Sequence, residues 1–108
     1  EDLERYMRRV STTEEEIRKL SLYYKELDNK NQKCIQKVGV VRYNAYKDTG
    51  SDLSFAVCLL DEHNDGVVFN GIYSRDMSNI YAKPIENGVS KYKVTPEEME
   101  AIEKAINY

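Results

Sequence analysis

The sequence has few of the residues that build metal centres and disulfide frameworks. Its 108 residues include one histidine, two cysteines and no tryptophan. A structural zinc site takes four Cys, His or acidic ligands held close together, whereas Cys34, Cys58 and His63 stand apart in the chain. Two separated cysteines also give no disulfide framework, so we expect both to be reduced thiols. These shortages argue against a metal-binding or disulfide-stabilised domain.

Long apolar runs and an excess of positive charge are lacking as well. No stretch approaches the roughly 18 apolar residues of a membrane span, so nothing in the chain is predicted to cross a bilayer. The formal net charge is −3: residues 1–34 carry eight basic and eight acidic side chains, and residues 35–108 carry eight and eleven. An acidic globular part repels phosphate backbones, so nucleic acid is not expected as a partner.

The first third of the chain has the spacing of a coiled-coil helix. Residues recur at alternating steps of three and four, as do the a and d positions of a heptad: Leu3, Tyr6, Val10, Thr13, Ile17, Leu20, Tyr24, Leu27, Asn31 and Cys34. The segment STTEEE at 11–16 also contains a capping box, which is a helix-start signature. Two interpretations stay open: one helix throughout, or a short helix near 1–10 followed by a stronger one near 13–29.

This heptad stripe has two uses that the sequence alone does not separate, pairing with a second copy or packing on the protein's own sheet. Leu22 and Tyr23 make the apolar face broader than a strict a/d seam, and Asn31 at an a position suits a two-stranded coiled coil. A small remainder, 35–108, buries little apolar surface by itself. We therefore predict a homo-oligomer, with these candidate self-association residues: Ile17, Leu20, Tyr24 and Leu27.

The hydrophobic period changes near Cys34, where stretches rich in β-branched and aromatic residues begin. These stretches predict four strands, near 35–46, 53–60, 67–75 and 80–86. KDTGSD at 47–52 has the composition of a turn, and Pro84 marks a sheet edge or a strand end.

The last element is predicted to be a helix that starts at a strong signal. Thr95 is a good N-cap, Pro96 suits the first helical position, and Glu98 lies where a capping box and the helix dipole favour an acid. Its inward stripe is predicted to be Met99, Ile102 and Ile106. The whole is an α+β fold: an N-terminal helix and possible coiled coil (1–34), then a globular domain (35–108) with a four-stranded antiparallel meander sheet and a C-terminal helix.

The stretch LDEHNDGVVF at 60–69 resembles the opening of a calcium loop but fails as one. Its third ligand position is His63, its twelfth position is Ile72 where a bidentate Glu is needed, and its flanks are strands. Two apolar β runs joined by Asn64, Asp65 and Gly66 predict a hairpin instead, with a primed turn because these residues accept positive φ. We expect His63 to face solvent at the loop tip.

Basic and aromatic side chains fall in or near the predicted strands. We hypothesise that they share the sheet face that no helix covers and form a surface for a partner or ligand: Arg42, Tyr43, Tyr73, Arg75, Tyr81 and Lys83. Such a face suits a peptide or protein partner, or a stacked nucleotide or single strand. The plain alternative is that the tyrosines cover a half-exposed face and the arginines pair with nearby acids.

Catalytic constellations are weak in this sequence. A hydrolase is one hypothesis, and it requires turn carboxylates to converge at the sheet ends: Asp48, Asp52, Asp61 and Asp65. Acids in turns are ordinarily solvated turn formers. We predict no catalytic residue, no cofactor and no metal ligand.

Four motifs in this order resemble an uncharacterised bacterial family, domain of unknown function 4446: KCIQKVGVVRYNAY, DTGSDLSFAVCLLDEHNDGVV, IYSRD and YAKPIENGVSKYKVTPEE. The resemblance runs from about Lys33 to Glu98, and residues 1–32 are similar only to that family's charged helical lead-in. It implies a hydrophobic N-terminal segment ahead of the helix, so we expect this chain to be the cytoplasmic portion of a membrane-tethered protein. The resemblance implies no activity, cofactor or catalytic residue.

Two functional hypotheses follow from these patterns. The first is a non-catalytic protein-interaction domain that self-associates through its N-terminal helix and offers its sheet to an unknown protein partner. The alternative is a small-ligand or nucleotide-binding domain that uses the Arg/Lys/Tyr face.

Overall fold

The computed structural model describes residues 2–45 and 53–108. The predicted turn at 47–52, with Asp48 and Asp52, lies outside the described residues. The chain divides into two compact units, one that ends at Gln32 and one that comprises Lys33–Tyr108. The α+β prediction is confirmed, with helix, antiparallel sheet and helix in that order.

The first unit is a single α-helix, α1, which runs Asp2–Gln32. It continues through the predicted capping box at 11–16. There the Thr13 hydroxyl does not cap a helix start but donates a hydrogen bond back to the Arg9 carbonyl at 2.8 Å. Acidic residues in the first turn and Lys30 in the last turn stabilise α1 through favourable interactions with the helix dipole. The interpretation as one helix is therefore the observed one, and no residue of α1 is buried.

Among its described residues, the second unit contains an antiparallel meander sheet of five strands in the order β1-β2-β3-β4-β5. The four predicted strands are present, and a two-residue fifth strand joins the outer side of the fourth. Asn87 and Gly88 connect the last two strands with positive φ, at 51° and 78°, which suits a tight hairpin turn. The strands are β1 Lys37–Tyr43, β2 Ser54–Leu60, β3 Gly66–Tyr73, β4 Ser78–Glu86 and β5 Val89–Ser90.

The last helix, α2, runs Pro96–Ile106 and starts as the sequence predicts. The Glu98 backbone N–H donates to the Thr95 hydroxyl at 3.2 Å, and the Thr95 N–H donates to Glu98 Oε1 at 3.0 Å. Both halves of the capping box are thus formed. They satisfy two backbone donors that a helix start otherwise leaves unpaired.

The core lies between α2 and one face of the sheet, where α2 packs on β1, β2 and β3. A Cβ added to Gly39 would lie 2.0 Å from the Ala101 carbonyl oxygen, so the helix backbone sits directly on β1. Small side chains make this close approach possible. The buried apolar residues are Val41, Ala56, Cys58, Leu60, Val68, Ile85, Ala101, Ile102 and Ala105.

The predicted inward stripe of α2 is only partly right. Ile102 is buried, but Met99 and Ile106 are 45% and 37% exposed. The buried face is formed by Glu98, Ala101, Ile102 and Ala105. Its members still follow the helical period, but small residues and one acid occupy the positions nearest the sheet because the close approach leaves no room for larger side chains.

The β2–β3 connection is a hairpin, as predicted, but its turn is not a primed one. The Asn64 N–H donates to the Asp61 carbonyl at 3.2 Å, and the Asp61 N–H donates to the Asp65 carbonyl at 2.8 Å. Only Asn64 has positive φ, 62°, which is the pattern of a type I turn followed by a left-handed residue. Gly66 is needed for space instead, because an added Cβ would lie 1.9 Å from the Leu59 carbonyl oxygen.

Candidate interaction surfaces

The apolar stripe of α1 is exposed along its whole length. The candidate self-association residues lie on one face of one continuous helix because their steps of three and four match the helical period. Tyr24 is 68% exposed and Leu27, the least exposed of the four, is 48% exposed. Apolar side chains of this size are usually withdrawn from water, so this stripe is a candidate surface for a partner.

A shallow concavity in the N-terminal half of α1 has the composition of a coiled-coil hole. It is lined by Tyr6, Arg9, Val10 and Thr13, with Glu14 at its side. In the heptad register these four occupy positions d, g, a and d, which is the set of residues that surrounds one inserted side chain of a facing helix.

Leu22 lies apart from this stripe. Two residues beyond Leu20, it is turned about 200° around the helix and occupies an f position. It is 59% exposed, against 67% for Leu20. Leu22 therefore does not broaden the a/d seam as the sequence analysis expected, whereas its neighbour Tyr23 flanks the seam at a g position.

The sheet face that points away from α2, the far face, is apolar across four strands. Cross-strand register places its residues in three rows: Val38, Leu59, Val67 and Pro84; Val40, Val57, Phe69 and Ala82; Arg42, Phe55, Gly71 and Ile80. Antiparallel sheets with one solvated face ordinarily alternate apolar and polar residues. The far face does not follow that rule, since Arg42 is the one charged residue in these rows.

The far-face side chains are partly or largely exposed. Val40 is 46% exposed and Ile80 is 71% exposed. Gly71 is the exception, because the Phe55 ring lies over it, within 2.4 Å of where a Cβ would be. A hollow of about 130 Å³ beside this ring is lined partly by Tyr73 and Ile80. The far face is thus a second apolar candidate surface.

The six residues of the predicted partner or ligand surface do not share one face. Strand alternation and register put Arg42 and Tyr73 on the far face, and Arg75 in the turn between β3 and β4. Tyr43, Tyr81 and Lys83 point to the α2 side. The expectation of one common surface on the uncovered face is therefore wrong, because neighbouring positions in a strand point to opposite faces.

Lys83 forms an ion pair with a buried acid of α2. Its Nζ lies 2.8 Å from Glu98 Oε1 and also donates to the Lys93 carbonyl at 2.8 Å. The Glu98 side chain is fully buried, the Lys83 side chain is 21% exposed, and Glu98 Oε2 has no partner. Sequence reasoning assigned Glu98 only a capping role. The signal that could have revealed this ion pair is Lys83, a lysine at an inward-pointing position of β4 that needs an acidic partner.

The ionisation of Glu98 is governed by opposing effects. Burial is the largest single effect and by itself raises the pKa of this carboxyl group. Hydrogen bonds from Lys83 and Thr95, together with the charge of Lys83, outweigh the burial and hold the pKa below its ordinary value. Glu98 therefore stays ionised at neutral pH and ties the start of α2 to β4.

Polar groups also lie inside the α2 side of the sheet. The Tyr43 hydroxyl donates to Asn70 Oδ1 at 2.5 Å, and the Tyr73 backbone N–H donates to Ser54 Oγ at 3.0 Å. Asn70 and Ser54 are both buried. Hydrogen bonding is what makes polar burial tolerable, so Tyr43 has a structural partner inside the domain.

Asp61 and Asp65 of the β2–β3 loop accept backbone hydrogen bonds, from the loop itself and from the turn between β4 and β5. Asp61 Oδ1 accepts the backbone N–H groups of His63 and Asp65, at 2.8 and 3.0 Å, and Asp65 Oδ1 accepts the Asn87 N–H at 2.8 Å. Lys37 Nζ donates to Asn64 Oδ1 at 2.7 Å. Across residues 2–45 and 53–108 no three His, Cys, Asp or Glu side chains are grouped as a metal site requires. His63 is exposed at the loop tip, as predicted.

Within the part of the chain that the structure describes, no helix is long and apolar enough to span a membrane.

Comparisons with known proteins identify a family for this chain. No curated protein and no solved structure matches the chain. A family model described as "Protein of unknown function (DUF4446)" matches residues 1–106, so the match includes α1 as well as the sheet and α2. The chain therefore belongs to the DUF4446 family of proteins of unknown function.

Proposed function

We propose that the chain is a non-catalytic protein-interaction domain that self-associates through a parallel, two-stranded coiled coil of α1. The supporting observation is the heptad stripe of α1, which is exposed over 31 helical residues, none of them buried. In this proposal the paired helices display two copies of the globular unit to a protein partner.

The energetics of a long single helix favour pairing. A helix of this length spans about 46 Å, and most of the stability of protein helices comes from packing of an apolar face. Burying one Leu or Ile side chain contributes about 1.5–3 kcal/mol. Ile17, Leu20 and Leu27 alone offer several such contributions per copy. Their burial in a coiled coil removes these three apolar side chains of α1 from water.

The concavity of α1 matches the geometry of this pairing. A knob at an a position inserts between the d, g, a and d residues of the facing helix. In a parallel pair in register, Val10 of one copy therefore meets the concavity lined by Tyr6, Arg9, Val10 and Thr13 of the other. The Thr13 hydroxyl is already bonded to the Arg9 carbonyl within its own helix.

The polar positions of α1 support the parallel, two-stranded arrangement. Arg9 at g lies opposite Glu14 at e of the facing helix in a parallel pair, and charges of opposite sign there stabilise the pairing. Asn31 occupies an a position, where an amide pairs with its own copy and selects dimers over larger assemblies.

We propose further that the domain acts in the cytoplasm and is held at the membrane by a segment outside this chain. Two cysteines, the exposed Cys34 and the buried Cys58, suit a reducing compartment. The hydrophobic N-terminal segment that the family resemblance implies ahead of the helix supplies the argument for a tether. Fractionation of the complete gene product tests this part: recovery in the soluble fraction after cell lysis would contradict the tether.

Sedimentation velocity over a wide concentration range tests the coiled coil. We expect a dimer for the native chain and a monomer for Leu20→Glu, because a d-position charge is buried in the seam. Leu22→Glu is the matched control, since it introduces the same change on the same helix away from the seam. A native chain that stays monomeric at all concentrations, or equal effects of both variants, would refute the proposal.

The nucleotide-binding alternative has less support. Its six residues are distributed over two sheet faces and a turn, and Lys83 is already bonded to Glu98. No single observation brings their head groups to one ligand.

A further inference from the structure

We infer that the far face of the sheet is a second interface between the same two chains, so that the two globular units of the dimer pack sheet against sheet. This inference rests on the proposed pairing of α1. It names the occupant of the far face: the far face of the second copy.

The composition of the far face fits an interior better than a solvated surface. Its central row, Val40, Val57, Phe69 and Ala82, is apolar on four consecutive strands. Inner faces of paired sheets have this composition and pack about 10 Å apart. Exposed apolar patches of several hundred Å² mark interaction sites.

The far face is too small for a stable interface with a free protein, so its partner is expected to be held nearby by a linker. Four strands about 4.8 Å apart and three rows along the strands cover roughly 400 Å² per copy. Two such faces bury roughly 800 Å², which is less than the roughly 1,200 Å² of a stable interface between free proteins. The same contact forms readily when a linker holds the partners at an effective concentration in the millimolar range. Only four residues, 33–36, separate α1 from β1, so a coiled-coil dimer supplies that concentration.

The few charges of the far face are arranged for self-pairing. Arg42 lies at the β1 end of one outer row, and Glu86 lies beyond the opposite outer row, on β4. They occupy diagonally opposite corners. Two such faces can pack with their strands crossed at nearly 90°. If the two-fold axis of the dimer lies between the faces, perpendicular to the diagonal that joins Arg42 and Glu86, it exchanges these two corners. Arg42 of each copy then lies over Glu86 of the other. Like charges then do not meet.

Thiol labelling in the full chain tests the inference. Val40→Cys places one reporter on the far face, with Cys34→Ser in the background so that the native exposed thiol does not react; Cys58 is buried. The rate of reaction with a maleimide is measured in the dimer and in the same protein carrying Leu20→Glu. We expect labelling to be at least about tenfold slower in the dimer, because the linked second copy covers the reporter.

Each other outcome has a distinct meaning. A dimer that labels as fast as the Leu20→Glu protein overturns sheet pairing but leaves the coiled coil standing. Slow labelling in both proteins shows that something within one chain covers the far face, which also overturns the inference. A native chain that sediments as a monomer refutes the proposed function, and the inference with it.

A charge introduced on the far face provides the second measurement. Val40→Lys should weaken dimerisation about tenfold or more, because the far-face contact adds avidity to the coil. Ile35→Lys is the matched control: Ile35 is 51% exposed and lies in the linker, outside the strands. Far-UV circular dichroism and the midpoint of thermal unfolding confirm that both variants fold. Equal dissociation constants for the two variants would contradict sheet pairing.

Discussion

Replacing Lys83 by Met should destabilise the globular unit strongly at neutral pH. The variant leaves the fully buried Glu98 carboxylate without its cation, while Glu98 Oε2 already has no partner. Removing one partner of a buried ion pair typically costs about 3–5 kcal/mol, because the remaining charge is left uncompensated.

Protonation of Glu98 sets a limit on this cost. In the variant, the buried carboxylate can become neutral by taking up a proton. For a group of ordinary pKa 4.5, protonation at pH 7 costs about 3.4 kcal/mol, at about 1.36 kcal/mol per pKa unit. Lys83 is partly exposed, so some of its stabilisation is screened by water. We therefore expect Lys83→Met to lower the free energy of unfolding by about 2–3.5 kcal/mol at pH 7.

The stability lost in Lys83→Met should depend on pH and be larger at pH 7 than at pH 4. The pKa of Glu98 is lowered in the folded state, so the stabilisation is present above its ordinary value of 4.5 and is lost as the pH falls through the lower folded value. Urea unfolding of native and Lys83→Met proteins at pH 7 and at pH 4 should show the penalty shrink at the acidic pH. Glu98→Gln in the Lys83→Met background removes the buried charge and should recover part of the loss.

A surface lysine provides the control. Lys104 lies 3.8 Å from Glu100, with both side chains more than half exposed, and Lys104→Met should cost less than about 1 kcal/mol. If Lys83→Met costs no more than Lys104→Met, or if its penalty is the same at pH 4 and pH 7, the electrostatic account of Glu98 is refuted.

Three further predictions concern the core and the hairpin. Gly39→Ala should lower the free energy of unfolding by about 3 kcal/mol or more, since the added Cβ overlaps the Ala101 carbonyl; a chemical-denaturation midpoint near that of the native protein would contradict this. Burial raises the pKa of the Cys58 thiol to about 11, so thiol titration at pH 7 should detect Cys34 alone until denaturant is added. Asp61→Ala leaves two backbone N–H groups without their acceptor and should cost about 1–2 kcal/mol, whereas Asp61→Asn keeps an acceptor oxygen and should cost less in the same unfolding assay.

Much of the fold was predictable because several local signals agree. Thr95, Pro96 and Glu98 each favour a helix start at the same place, and that helix begins there. The hydrophobic period changes near Cys34, three residues before β1 begins. The hairpin after β2 follows from Asn64, which readily takes the positive φ that the turn needs.

The pairing of distant residues was not predictable from local pattern. β2 is apolar on both faces, with Ala56 and Cys58 toward α2 and Val57 away from it, so alternation could not show which face a helix covers. Lys83 and Glu98 meet only because register and helix packing bring β4 to the start of α2. The capping box at 11–16 left open whether a second helix starts there, because a local motif does not show whether the helix already runs upstream. It does, and the Thr13 hydroxyl bonds to the Arg9 carbonyl of the same helix.

The close seating of α2 on β1, where Ala101 meets Gly39, has a consequence for how folding and assembly are divided. Small residues lie where the helix meets the sheet most closely, whereas Phe55, Leu59 and Phe69 project from the opposite side of the sheet. Part of the domain's apolar surface therefore stays in contact with water when one chain folds by itself. A second chain that covers it would make the thermal midpoint rise with protein concentration.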